Sequence, residues 1–280
     1  MSRTQVIVDT HRLEVPVRFL SRIALLGVFC PFIVAQSGRT AATNTTMRDG
    51  GVTETLQSIY IPPLVNAPFT ATVHTEWTRP LSDGGTYTVV NQRQVARDRN
   101  GRIFEERWLL VPKDGRFKSQ KNVIQIADPN EHTLYNCFPL QHPQRCYLQA
   151  FAERAQTTAR PAIGQSGPLA DNSGFTTHEE LGGRDIEGME TRGFRDTTTL
   201  NVGVFGNDRP MVTTREFWYA DKIGVNLVSI VDGPRTGKQT FTLSDISVSD
   251  PDMQLFELPA GFEIVDQRTP AQRNQDHHQP

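Results

Sequence analysis

After residue 35, no segment of this 280-residue chain is apolar for long enough to cross a membrane as a helix. Basic charge is not concentrated either. Arg97, Arg99, Arg102, Arg107, Arg192, Arg195 and Arg215 are spread among acids, whereas a nucleic-acid binder gathers such residues into one patch or stripe. With 29 basic against 31 acidic residues overall, nucleic acid is excluded as a partner. The common catalytic signatures are missing too: there is no Gly-x-Ser-x-Gly elbow and no His-Glu-x-x-His. Gly233–Lys238 is one residue short of a phosphate loop, and Gln239 stands where Ser or Thr would hold magnesium, so the segment reads as a hairpin turn. These absences predict a non-enzymatic protein with no cofactor and no metal.

What is present begins with an apolar run, Ile23–Ala35, preceded by Arg18 and Arg22. Thirteen residues rising about 1.5 Å each would cover only about 20 Å of a hydrocarbon core roughly 30 Å thick. The run therefore reads as a secretory signal peptide over residues 1–35, cleaved between Ala35 and Gln36, and the protein as exported to the periplasm or beyond the cell. No stable membrane span remains after cleavage. Lipid attachment at Cys30 is disfavoured because bulky Phe29 adjoins it, and Pro31 argues against a buried core helix.

Of three cysteines, Cys137 and Cys146 survive cleavage. An oxidising compartment makes an even pair a disulfide candidate. His132 and His142 complete a donor set that would suit zinc, but its spacing lacks the close cysteine pairing of zinc modules, and the disulfide is favoured.

The remainder is strand after strand. Residues 36–66 read as a flexible lead-in, 67–266 as one β-rich domain and 267–280 as a disordered tail. Period-two alternation from Phe69 to Trp77, turn chemistry at Asp83–Gly85 and Asn100–Gly101, and Gly182–Gly183 as a further turn mark successive hairpins. About ten strands and few short helices predict a mainly β, antiparallel fold: an unclosed half-barrel or a strongly curved sheet. Alternation puts Phe69, Val73, Trp77, Tyr87, Val89, Phe217 and Tyr219 on one face, the candidate ligand-binding surface. His74 with Glu76, and His178 with Glu179 and Glu180, could serve acid–base chemistry but read as solvated strand residues. Glu106–Trp108 and Glu216–Trp218 echo one another, which chance explains adequately.

Several local motifs carry a resemblance. His178–Gly182, Ile186–Gly188, Gly206–Pro210, Glu216–Tyr219 and Leu255–Pro259, with Arg97–Arg102 and Ile126–Pro129 earlier, resemble a group of uncharacterised secreted bacterial proteins over residues 68–266. Strands behind a signal peptide are similar, in architecture alone, to the outer-membrane lipoprotein carrier family and its stress-sensor relatives. That resemblance implies an unclosed barrel whose apolar face holds acyl chains, with lipid or lipoprotein as partner. The competing expectation is a structural or interaction module of the cell envelope that meets a protein partner at an exposed strand edge. A carrier needs a continuous apolar concavity; a module needs a filled core and an uncovered edge or patch.

Overall fold

A computed structural model describes residues 56, 58–152 and 165–275, all within one unit, Val52–Pro280. The expected signal peptide, its expected cleavage point and the connection at 153–164 lie outside the described residues. Among the described residues no helix is long and apolar enough to cross a membrane.

The first half supplies β1 (Phe69–Pro80), β2 (Thr86–Arg97), β3 (Ile103–Trp108), β4 (Val111–Pro112), β5 (Lys121–Asp128), β6 (Thr133–Phe138) and β7 (Arg145–Ala150). The second half supplies β8 (Gly167–Pro168), β9 (Gly174–Ile186), β10 (Met189–Leu200), β11 (Met211–Ala220), β12 (Val225–Gly233), β13 (Gly237–Ser247) and β14 (Glu263–Asp266). They form one sheet in the order β14-β7-β6-β5-β3-β2-β1-β13-β12-β11-β10-β9-β8, with β4 pairing β2 off this path. The path does not close on itself. Every pair is antiparallel except β14 with β7. The fold is thus the mainly β, antiparallel, unclosed sheet that the alternation predicts.

Side chains opposite one another in an antiparallel pair share a face. The main core forms where Phe69, Ala71 and Val73 of β1 meet Val95 of β2, Phe241 and Leu243 of β13 and Leu227 of β12. Ile59 and Ile61 complete it, so the end of the lead-in 36–66 is packed structure rather than free chain. A smaller core joins Ala96, Phe104 and Ile126 to Phe256, which a 3-10 turn, Met253–Phe256, presents to them. Asp252 caps that turn by accepting from Gln254 N–H at 3.0 Å.

Two local readings change in the structure. Gly182, at φ 80°, bulges β9 instead of reversing it, and the hairpin turns at Glu187 and Gly188, whose φ angles are 54° and 74°. The pair of positive φ angles supplies the twist a two-residue turn needs. At the other end of the chain, where disorder is expected from residue 267, Thr269 caps a short helix α1 (Pro270–Gln275), its Oγ1 accepting from Gln272 N–H at 3.3 Å.

Cys137 and Cys146 face one another across β6 and β7 and are joined as a disulfide. Both are fully buried. Closing a loop of about ten residues contributes on the order of 2–3 kcal/mol through the unfolded chain. Reduction, or Cys137→Ala with Cys146→Ala, is expected to lower unfolding free energy by about that amount, read from urea titrations with and without reductant. An unchanged midpoint would show that the bridge stabilises nothing.

Candidate functional site

The inner face, which carries the main core, is organised by two arginines four residues apart on β2. Arg97 is 0 % exposed. It has no carboxylate partner; its guanidinium donates to Pro62 O (2.8 Å), to Ala67 O from Nε (2.9 Å) and Nη2 (2.6 Å), and to Ile223 O (2.5 Å). It also lies over the Phe69 ring, 5.0 Å from its centroid. Arg93, also buried, donates to Ser58 Oγ at 2.5 Å and to Glu105 Oε2 at 3.2 Å. Together they fasten residues 58–67 across the face as a strap. Gly101 completes the clamp: at φ 84°, any Cβ would stand 2.9 Å from Pro63 O. Asp98 shapes this β2–β3 turn by accepting from Asn100 N–H and Arg102 N–H at 2.9 and 2.8 Å. Burial pushes the Arg97 guanidinium down to about 10, with Tyr219 opposing the shift, so it stays charged at neutral pH. Burial lowers Arg93 as well, and Glu105 offsets part of that.

Register decides where the seven candidate ligand residues lie. Trp77 faces Val89 and Arg79 faces Tyr87; Thr75 faces Phe241, which faces Ser229, which faces Phe217. Phe69, Val73, Trp77, Tyr87, Val89 and Phe217 therefore share the inner face. Tyr219 follows a shift in the β11–β12 register and is buried. Their surroundings differ. Phe69 and Val73 are main core, and Trp77, 8 % exposed, donates its indole N–H to Thr236 O at 2.6 Å. Val89 and Phe217 are half-buried, while Tyr87 is exposed and accepts from Arg79 at 3.1 Å.

The polar clusters do not converge into chemistry. His74 pairs with Ser244 Oγ at 2.8 Å and Glu76 with Lys113 at 2.8 Å, on the opposite, outer face. His178 Nδ1 meets Asp196 Oδ1 at 2.5 Å, whereas Glu179 points to the other face and pairs with Arg195 at 3.1 Å. Among the described residues no group of three or more His, Cys, Asp or Glu could hold a metal ion.

The sequence echo has a common geometry. Trp108 Nε1 donates to Glu106 Oε2 at 2.8 Å, and Trp218 Nε1 to Glu216 Oε1 at 2.7 Å. In each case a cation covers the indole: Lys121 of the adjoining β5 lies 5.6 Å from the Trp108 ring, and Arg184 of β9, one strand beyond β10, lies 3.6 Å from that of Trp218. Burial alone would raise the Glu216 carboxyl; the hydrogen bonds from Trp218 and Arg195 prevail and hold it below its ordinary value.

Two further features had no sequence signal. A cleft of about 620 Å³ runs beside the strap, with Ile103, Ala127, Leu134 and Phe151 on its apolar side and Arg107 and Arg215 on its polar side. None of the seven candidate residues lines it. The second is an edge: β8 pairs only Phe175 and Thr176 of β9, leaving Thr177–Ile186 without a strand neighbour on that side among the described residues.

An open antiparallel sheet strapped across one face is the class this geometry defines. No family model matches the chain, and no curated protein is similar to it at a significant level. Solved structures of distantly similar fold do exist. The Pseudomonas aeruginosa MucA/MucB complex contains a chain matched with TM-score 0.36 and 14 % identity, over 71 % of this chain and 58 % of that one. The Mycobacterium tuberculosis lipoprotein LppX matches with TM-score 0.29 and 15 % identity, over 66 % and 90 % of the two chains. LprF from Mycobacterium bovis matches with TM-score 0.27 and 13 % identity, over 66 % and 89 %.

Proposed function

We propose that this protein is exported and acts as a non-enzymatic interaction module of the cell envelope, engaging a protein partner along the open edge of β9. The observation that carries this reading is that the main core on the inner face is closed by the chain's own Ile59, Ile61 and Ile223. What stays available is a sheet edge, and a strand added there would be held by backbone hydrogen bonds. Glu179, Glu180, Arg184 and Asp185 along β9 are the charges that keep such an edge from pairing indiscriminately. The buried disulfide supports an oxidising location, and the Arg-flanked run Ile23–Ala35 supports export.

A second reading, carriage of lipid or lipoprotein, is favoured by the cleft beside the strap, whose volume lies within the range of small-molecule sites. It keeps Phe69, Val73, Trp77, Tyr87, Val89, Phe217 and Tyr219 as proposed contacts only if the strap lifts. Photocrosslinkers placed in cells at Thr177, Glu179 and Leu181, with Thr240 on the outer face as control, separate the two. The module reading expects one protein adduct confined to the β9 positions. Adducts at every position alike, or saturable uptake of a fluorescent fatty acid with no adduct at β9, would sink it.

A further inference from the structure

The exposed apolar side chains are distributed unevenly between the two ends of the sheet. Pro80 faces Thr86, Gly233 faces Gly237, Thr78 faces Lys238, and Leu200 faces both Met211 and Gly174. Ile124 likewise faces Cys137, and β4 pairs with the start of β2. The connections 81–85, 109–120, 139–144, 169–173, 201–210 and 234–236 therefore all leave the sheet at one end. Leu81, Phe117, Leu140, Val202 and Phe205 lie in these connections and are exposed, Phe117 by 73 % and Phe205 by 63 %. The connections at the other end hold only Val65, Val248 and Met253 among the large exposed hydrophobic residues described.

Charge follows the same division. Exposed Arg116 and Lys118 flank Phe117, and Arg235 lies over the Phe205 ring, 5.2 Å from its centroid. At the opposite end, acids prevail: Glu131, Glu187, Asp250 and Asp252, with Arg99 neutralised by Asp250 at 2.8 Å. The first end also carries Asp83, Asp114, Asp171 and Asp208 against Lys113, Arg116, Lys118, Arg209 and Arg235, so it is close to neutral overall with cations beside its two aromatic tips, whereas the other end has an excess of acids.

We propose that this end of the sheet is a membrane-docking surface that inserts Phe117 and Phe205 at the headgroup boundary of a bilayer containing anionic lipid. A protein-binding patch would be continuous and would exclude lysine from its centre. Here Phe117 and Phe205 stand on separate connections, one between Arg116 and Lys118 and the other under Arg235, which suits a boundary where rings enter the acyl region and cations meet phosphates. The acidic opposite end is repelled by the same surface, so orientation is set by charge. The proposal does not depend on the β9 edge, which belongs to a different side of the sheet.

The test uses the exported protein as recovered from its host, with its N-terminus determined so that no leader remains. Flotation is measured with vesicles of phosphatidylcholine alone and of phosphatidylcholine with phosphatidylglycerol. Wild type is expected to float with the anionic vesicles and to be released as salt rises. Phe117→Ser with Phe205→Ser should weaken partitioning by about tenfold or more, since partial burial of two rings is lost. Arg116→Glu with Lys118→Glu should weaken binding to anionic vesicles alone, and Val65→Ser at the opposite end should change nothing. Unaltered circular dichroism shows that these exposed positions leave the fold intact. The proposal is overturned if wild type ignores both vesicles, or if the Phe double variant floats as wild type does. It is also overturned if light scattering shows a dimer that the Phe substitutions dissolve while vesicles bind nothing, which would assign the surface to a second copy of the chain.

Discussion

Arg97→Ala is expected to destabilise the protein by at least about 3–5 kcal/mol, the range for breaking a buried charged network and stranding its partners. The substitution removes four donated hydrogen bonds at once, takes that donor from the carbonyls of Ala67 and Ile223, and leaves Pro62 O with the Leu64 N–H alone. Arg97→Lys should recover little of this. An ammonium on a single stem cannot span three carbonyls that approach from two segments, whereas the planar fork does so in one rotamer. Chemical denaturation gives the free energy, and proteolysis mapped at residues 58–67 shows whether the strap is released first. A variant that unfolds with wild-type midpoint and keeps its strap protected would refute the clamp.

Trp77→Ala is expected to cost about 3–5 kcal/mol, as truncation of a core indole does. The ring is buried, its N–H is satisfied by Thr236 O, and Arg79 lies 5.0 Å from its centroid. The substitution thus removes packing, a hydrogen bond and a stacked cation together. If Trp77 instead lined a site that ligand fills, the loss of stability would be smaller and uptake of a fluorescent fatty acid would fall. Measuring unfolding and probe uptake on the same variant distinguishes these outcomes, and a stable variant with lost uptake would restore the carrier reading.

Legibility in the sequence followed the physics of each feature. Strand faces were readable because alternation is local: Phe69, Val73 and Trp77 needed only their spacing to be placed together. The disulfide was readable because two flanking strand runs and an even cysteine count are enough. The hairpin at Glu187–Gly188 was missed because Gly182–Gly183 carries the stronger turn composition, and only the pairing register shows that glycine there serves a bulge. The strap was invisible for another reason. Its adjoining Pro62 and Pro63 break any strand pattern, and what orders it is Arg97, thirty residues away, together with Ile223 from the far half of the chain. Arg97 itself read as one of several arginines spread among acids, since burial of a guanidinium against carbonyls leaves no pattern in the neighbouring residues.

The strand order also constrains how the chain can be made. β1 lies at the middle of the sheet between β2, its immediate successor, and β13, which appears only near the end of synthesis. While the intervening residues emerge, one edge of Phe69–Pro80 has no native neighbour, and the segment before it cannot close onto Ile223. The pairing at the middle of the sheet is therefore among the last to form, with β14 still to join β7 at an edge, and β1 stays unpaired on one side for most of synthesis. Until then the apolar side chains of β1 lack the β13 partners, Phe241 and Leu243, that pack against them in the folded sheet.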